Sequence, residues 1–158
     1  MVRVMKEIIK RYINIKEKPI DVEKFIRSFR KKAEEMGYKF FEIEQESSTR
    51  KYGEDRIFKF ELEKEIDYFA KVNIEIDILF EKLEKVKGRF IGNGTINYIV
   101  NLTYDYKNRW GGTAFNSFLF SIYLKVMKWP LENKYLIPYS IIEGNEIFDF
   151  IKEELGLY

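Results

Sequence analysis

Apolar and polar residues alternate with a period of two through most of the first two-thirds of the chain, and a helical period replaces it in three places. The opening segment Ile8 to Lys16 reads as a strand with Ile9, Ile13 and Ile15 on one face, although Val2, Val4 and Ile8 also suit the start of a short helix. From Asp21 the spacing lengthens. Val22, Phe25, Ile26, Phe29, Ala33 and Met36 fall on one helical face, Asp21 is placed to cap the first turn, and Gly37 is placed to end the helix. Tyr38 to Glu46 is then predicted as a strand and Ser47 to Asp55 as a polar loop. In Arg56 to Lys64, Phe58, Phe60 and Leu62 alternate with Lys59, Glu61 and Glu63; Tyr68 to Phe80 alternates in the same way. A three-residue loop, Glu65-Ile66-Asp67, would join these two as a hairpin, setting Leu62 opposite Ala70, Phe60 opposite Val72 and Glu61 opposite Lys71. Leu83 to Ile91 is a weaker strand, Gly92-Asn93-Gly94 reads as a tight turn, and Ile96 to Tyr106 is a further strand.

The C-terminal third is helical in pattern. Thr113 suits an N-cap, Ala114 to Trp129 is apolar nearly all round, and Pro130 is expected to stop that helix. A linker follows, and then an amphipathic helix from about Glu143 to Leu155 with Ile147, Ile151 and Leu155 in register. Strong strands with one apolar and one polar face imply an antiparallel sheet covered on one side only. The predicted class is therefore α+β: a curved antiparallel sheet of about five to six strands packed on one face by helices, in the order β-α-β(4–5)-α-α, with residues 1–158 forming a single domain. A helix apolar all round is expected to be the most buried in the fold, or else its oligomer interface.

Composition narrows the chemistry. The chain has 158 residues, of which 46% are hydrophobic and 34% charged, enough for both a core and a solvated shell. It contains neither cysteine nor histidine. That removes disulfides, thiolate nucleophiles, Ser-His-Asp machinery and His- or Cys-ligated metals, leaving any catalysis to Asp, Glu, Lys, Tyr or a hydroxyl. Its 28 basic and 26 acidic residues are interleaved, so nothing resembles a nucleic-acid footprint. Uncharged runs reach 15 residues, as in Phe90 to Tyr104 and Trp110 to Leu124, short of the ~20 a membrane-spanning helix requires. With no signal-peptide core in the first residues, the expected compartment is the cytoplasm. The Lys/Glu-rich, glutamine-poor and cysteine-free balance fits a thermophile.

Three groups of residues offer chemistry, each with a plainer alternative. Phe58, Phe60, Tyr98, Tyr104, Tyr106 and Phe118 could line a cavity between a bent sheet and a helix; equally, they could fill a solid core. Glu61, Glu63, Glu75 and Asp77 could gather for acid–base work or a divalent cation, but Lys59 and Lys71 lie among them and a solvated charged face accounts for the pattern. Arg109-Trp110-Gly111-Gly112 precedes a helix start and could bind an anion, yet it matches neither a P-loop nor a dinucleotide fingerprint. If a site exists, it is expected where the strongest strand ends: Tyr98, Tyr104 and Tyr106 supply aromatic walls, Phe118 is in the lining, Trp110 stands near the mouth of the gap, and Arg109 at the rim meets an anionic end. The competing expectation is that Trp110 folds inward and plugs that gap.

The order strand, helix, several long antiparallel strands and a C-terminal aromatic helix resembles the helix-grip arrangement of START and Bet v1-like proteins, which implies a sheet wrapped round a helix and a ligand cavity between them. Tyr104-Asp105-Tyr106-Lys107-Asn108-Arg109-Trp110, followed by Phe118, Leu119, Ile122 and Tyr123, also looks like a group of uncharacterised small archaeal proteins. Pro130 and the missing second helix before the sheet depart from the helix-grip pattern, and neither resemblance brings functional residues with it. No catalytic residue, metal ligand or cofactor is assigned, and binding is favoured over catalysis. The leading reading is a non-enzymatic domain holding a small apolar or amphipathic ligand between sheet and helix. The alternative is a structural or protein-interaction domain with a solid core, forming a homo-oligomer through Ala114–Trp129.

Overall fold

The structure, a computed structural model, describes residues 4–50, 53–86, 89–110 and 113–155. Five strands, β1 (Val4–Ile20), β2 (Lys39–Arg50), β3 (Gly53–Glu65), β4 (Ala70–Val86) and β5 (Arg89–Tyr104), form one antiparallel sheet in the order β1-β5-β4-β3-β2. The last four make a meander, and β1 returns to pair with β5. The sheet is curved, and each of its four strand pairs carries at least one register shift of the kind that bends a strand. Helix α1 (Val22–Glu35) lies between β1 and β2 in sequence; α2 (Ala114–Val126), α3 (Lys128–Leu131), a π-helical stretch Glu132–Ile142 and α4 (Glu143–Glu154) follow β5.

The helices that cover the sheet are the strongly patterned ones. The Asp21 carboxylate accepts the amide of Lys24 at 3.1 Å, Gly37 turns left-handed (φ 87°) after the helix, and Val22, Phe25, Phe29 and Ala33 are buried. Phe29 meets Phe40 and Phe60 at centroid distances of 5.7 and 6.2 Å. Helix α4 buries Ile147 and Ile151, and it sits close because Gly144 has no side chain: a Cβ there would lie 3.2 Å from Val100 and 3.3 Å from Ile9. The fully buried Tyr98 hydroxyl donates to the Gly144 carbonyl at 2.6 Å, and the Tyr98 ring rests 5.1 Å from Phe148. One residue earlier, the Glu143 carboxylate accepts from Lys64 Nζ at 3.0 Å and from the Tyr38 hydroxyl at 2.8 Å; Lys64 Nζ also donates to the Met36 carbonyl at 2.9 Å. Burial, and then the neighbouring Glu143 carboxylate, push the Tyr38 phenol well above its ordinary range, so it stays a donor.

Four expectations need correction. Ser47 to Asp55 is strand rather than loop: Ser47, Ser48, Thr49 and Arg50 pair with Arg56, Asp55, Glu54 and Gly53. Gly92 and Gly94 stand inside β5, not in a turn; β4 ends at Val86, which pairs with Arg89 at the start of β5. A Cβ on Gly92 would come within 2.9 Å of the Glu81 carbonyl and Leu83, beside a bulge where Lys82 adopts φ 56°. Glycine is required there by close approach. The β3–β4 pairing is shifted by four residues from the predicted register, so Leu62 faces Ile74, Phe60 faces Ile76 and Glu61 faces Glu75. Four is even, so every apolar residue keeps its face. The loop is longer than predicted because Asp67 Oδ1 takes the amides of Phe69 and Ala70 at 2.8 and 3.0 Å, so β4 starts at Ala70. Finally, Pro130 does not end the helical run. It lies in the first turn of α3, where its missing N–H has no partner to lose, and the predicted linker is the π-helical stretch.

Gly92→Ala should therefore destabilise the protein by about 1–3 kcal/mol in urea unfolding, the usual cost of overpacking. An unchanged midpoint would show that Gly92 is not held by close approach.

Candidate functional site

At the end of the sheet where β5 leaves it, two aspartates organise the chain. Asp105 adopts φ 53°, donates its amide to the Phe69 carbonyl at 2.7 Å, and accepts the amides of Arg109 and Trp110 on its carboxylate at 2.8 and 3.0 Å. This folds the loop back so that Trp110 packs against Phe120 and Tyr123, at 5.6 Å each. Asp67, in the β3–β4 loop, accepts from the Tyr135 hydroxyl at 2.7 Å in addition to its two amides, with Lys134 Nζ at 3.7 Å; the Tyr106 hydroxyl donates to its backbone carbonyl at 2.5 Å. Between them Phe69 stacks on Tyr104 at 5.5 Å and meets Phe120, Tyr123 and Tyr135 edge-on or tilted at 6.0–6.3 Å.

The electrostatics follow from these contacts. Burial alone would raise the Asp67 carboxyl. The bonds from Tyr135, Ala70 and Phe69, with the Lys134 charge, outweigh it and hold the group below its ordinary value. Burial and the Asp67 partner drive Tyr135 up; burial, helped by Glu132, pushes Tyr104 up to about 12. The phenols here are neutral donors, and every polar contact named is met within the protein.

This junction positions α2, and α2 has two apolar sides. Thr113 Oγ1 accepts the Asn116 amide at 3.1 Å and starts the helix. The inner stripe, Phe120, Tyr123, Leu124 and Met127, packs on the junction; of the α2 residues only Phe120 is fully buried. The outer stripe, Phe115, Phe118, Leu119, Ile122, Val126 and, beyond the helix end, Trp129, follows i, i+3, i+4, i+7, i+11 and i+14 and faces solvent, with Phe115, Val126 and Trp129 exposed by 67, 73 and 74%. The expectation that this helix is the most buried in the fold does not hold within one chain, because its low hydrophobic asymmetry records two separate apolar faces, only one of which meets the protein.

Of the residues proposed as a ligand site, Tyr104, Tyr106 and Trp110 come together at the junction. Tyr98 lies apart, beneath α4. Arg109 is exposed, its guanidinium 5.3 Å from the Tyr68 ring, and Phe118, 60% exposed, points away from the others; Gly111 and Gly112 lie outside the described residues. Phe58 and Phe60 stack on each other in the core at 5.9 Å. Asp67, Phe69, Asp105 and Tyr135 were not singled out from sequence. An aspartate two or three residues before the amides it caps is a usable signal, whereas the reach of Asp67 to Tyr135 is tertiary.

Concavities also lie elsewhere among the described residues. One of about 540 Å³ is bordered by Asn14, Ile15, Lys16, Glu81, Asn93, Gly94 and Thr95. A groove of about 390 Å³ between α1 and the β2–β3 edge has Glu23, Arg27, Glu42 and Arg56 in its walls, the buried Arg56 Nε 3.7 Å from Glu54 and without a hydrogen-bond partner. Among the described residues no group of acidic side chains is arranged to hold a metal ion, and no helix is long and apolar enough to cross a membrane. Comparison with protein-family models and with curated proteins finds no match for this chain. Fold and site thus define an α+β domain, a helix-covered antiparallel sheet, that displays one apolar helix face.

Asp67→Asn should cost about 1.5–3 kcal/mol at neutral pH, the range for hydrogen bonds to a charged group. Because the folded carboxyl titrates below its unfolded value of 3.8, this contribution is present above that value and is lost as pH falls through the lower folded one. Urea titrations of wild type and variant should therefore converge below about pH 4; a constant gap down to pH 2.5 would show that the charge is immaterial.

Proposed function

We propose that this protein is a docking domain, a solid sheet-and-helix body whose working surface is the outer stripe of α2. One observation carries the reading: five large apolar side chains at helical spacing on α2, continued by Trp129 in α3, are exposed to solvent, while the opposite side of α2 already holds it to the body. Isolated exposed hydrophobics are ordinary on protein surfaces, but a contiguous stripe marks an interaction surface. None of these six belongs to the buried core, to which α1, the π-helical stretch and α4 contribute. A small amphipathic ligand held between sheet and helix draws less support. Phe58 and Phe60 stack on each other, Tyr98 packs on Phe148, and Trp110 packs on Phe120 and Tyr123, as a plug would.

The double variant Phe118→Gln, Ile122→Gln keeps good helix formers at both positions. It should retain the wild-type circular dichroism and unfold within about 0.5 kcal/mol per site of wild type, as exposed positions do. The wild type should be retained on a phenyl-substituted matrix and the variant should not. Unfolding of the variant, or equal retention of the two proteins, would overturn the reading.

A further inference from the structure

We infer that the surface docked by α2 is an anionic lipid interface, on which the helix lies flat with its outer stripe in the acyl boundary. The inference deepens the docking reading and rests on it. Charge is the first argument. From Tyr106 to Leu131 the chain carries Lys107, Arg109, Lys125 and Lys128 and no carboxylate, although the whole chain holds 26 acidic residues. Lys107 and Arg109 lie in the loop that precedes α2, over the rings of Tyr106 and Tyr68, Lys125 is in the last turn of the helix, and Lys128 follows it; all four are exposed. An apolar strip with cations at both ends and no anion matches an acidic lipid surface, where buried apolar area and attraction to headgroups act together. Trp129, at the end of the stripe, is the residue type that settles at the headgroup level.

The same distribution weighs against a second copy of the chain. In an antiparallel α2 pair, Lys125 and Lys128 of one copy would face Lys107 and Arg109 of the other. In a parallel pair, Lys125 would face Lys125. Either seam gathers cations with no carboxylate between Tyr106 and Leu131 to offset them.

A second observation is independent of charge. The hydroxyls of Ser117 and Ser121 donate back to the carbonyls of Thr113 and Ser117 at 3.1 and 3.0 Å. A serine that satisfies itself on the preceding turn brings no unpaired donor into an apolar medium. The helix lies on the interface and does not span it, because its 13 residues extend about 20 Å and its inner side is occupied by the protein.

The test uses the purified full chain with vesicles of phosphatidylcholine alone and of phosphatidylcholine with about 30% phosphatidylserine, an anionic lipid of the kind cationic segments select. Co-sedimentation is expected with the second and not the first, weakening as salt is raised. Emission should shift to the blue on binding, and Trp129→Phe should remove the shift while Trp110 remains. Lys125→Gln with Lys128→Gln should reduce vesicle affinity on the order of tenfold or more, at the strength expected of each cation near such a surface. The Phe118→Gln, Ile122→Gln variant should not sediment. Failure to bind acidic vesicles, equal binding to neutral ones, or a stable dimer in which Trp129 is already buried would overturn the lipid assignment. If the phenyl matrix still retains the wild type, only the lipid assignment falls; loss of retention as well removes the docking reading.

Discussion

Two adjacent residues, Glu143 and Gly144, hold the C-terminal helical region on the sheet. The Gly144 carbonyl receives the Tyr98 hydroxyl from the middle of β5, while Glu143 receives Lys64 from the end of β3 and Tyr38 from the turn after α1. A buried phenol and a half-buried ammonium are both costly to leave unpaired, by about 1–3 kcal/mol for a neutral donor and more for a charge. Each phenol here has one acceptor, and the ammonium divides its bonds between Glu143 and the Met36 carbonyl. Three separate elements are thereby referred to one point on the helical run, and the missing Cβ of Gly144 lets that point approach Val100 and Ile9. The remaining packing, Phe29 on Phe40 and Phe60 and Tyr98 on Phe148, proceeds from that placement.

What α2 does is set by what it does not have to do. The sheet has one apolar face, and α1, the π-helical stretch and α4 occupy it. Helix α2 is attached at the sheet's end through Phe69 and Trp110, on the aromatic cluster that Asp67 and Asp105 pin by satisfying loop amides. That attachment uses the inner stripe and leaves the outer one available.

Much of this was legible in the chain itself. The two-residue period in β3, β4 and β5 assigned an inner face that the structure preserves, even where the predicted hairpin register was four residues out, because parity and not register decides which side is buried. Helix α1 could be read from its cap, its stripe and its terminal glycine, all local features. The errors came where local signals are ambiguous. Gly92 and Gly94 read as turn residues because the demand on them comes from the neighbouring strand, and Pro130 read as a stop although a proline in a helix's first turn is harmless. The stretch Glu132–Ile142 carried no usable period, since a π-helix rotates residues by a different angle from an α-helix. As for the site, Tyr104, Tyr106 and Trp110 all fall at the junction, while Asp67 and Tyr135, 68 positions apart, could be joined only by the fold.

The pairing of the first strand with the last governs how the chain assembles. Val4 lies opposite Tyr104 and Ile15 opposite Gly94, so β1 gains its hydrogen-bonding partner only after the whole β2–β5 meander exists. Neighbouring strands of the meander close short loops, whereas β1 must close one of about 70 to 100 residues, from Ile20–Phe90 to Val4–Tyr104, an entropic penalty that grows slowly with length but lengthens the search. Until β5 is in place β1 would wait as an unpaired strand with Ile9, Ile13 and Ile15 on one side. Lys10, Arg11 and Lys16, interleaved with them, keep that waiting strand from adding to its neighbours.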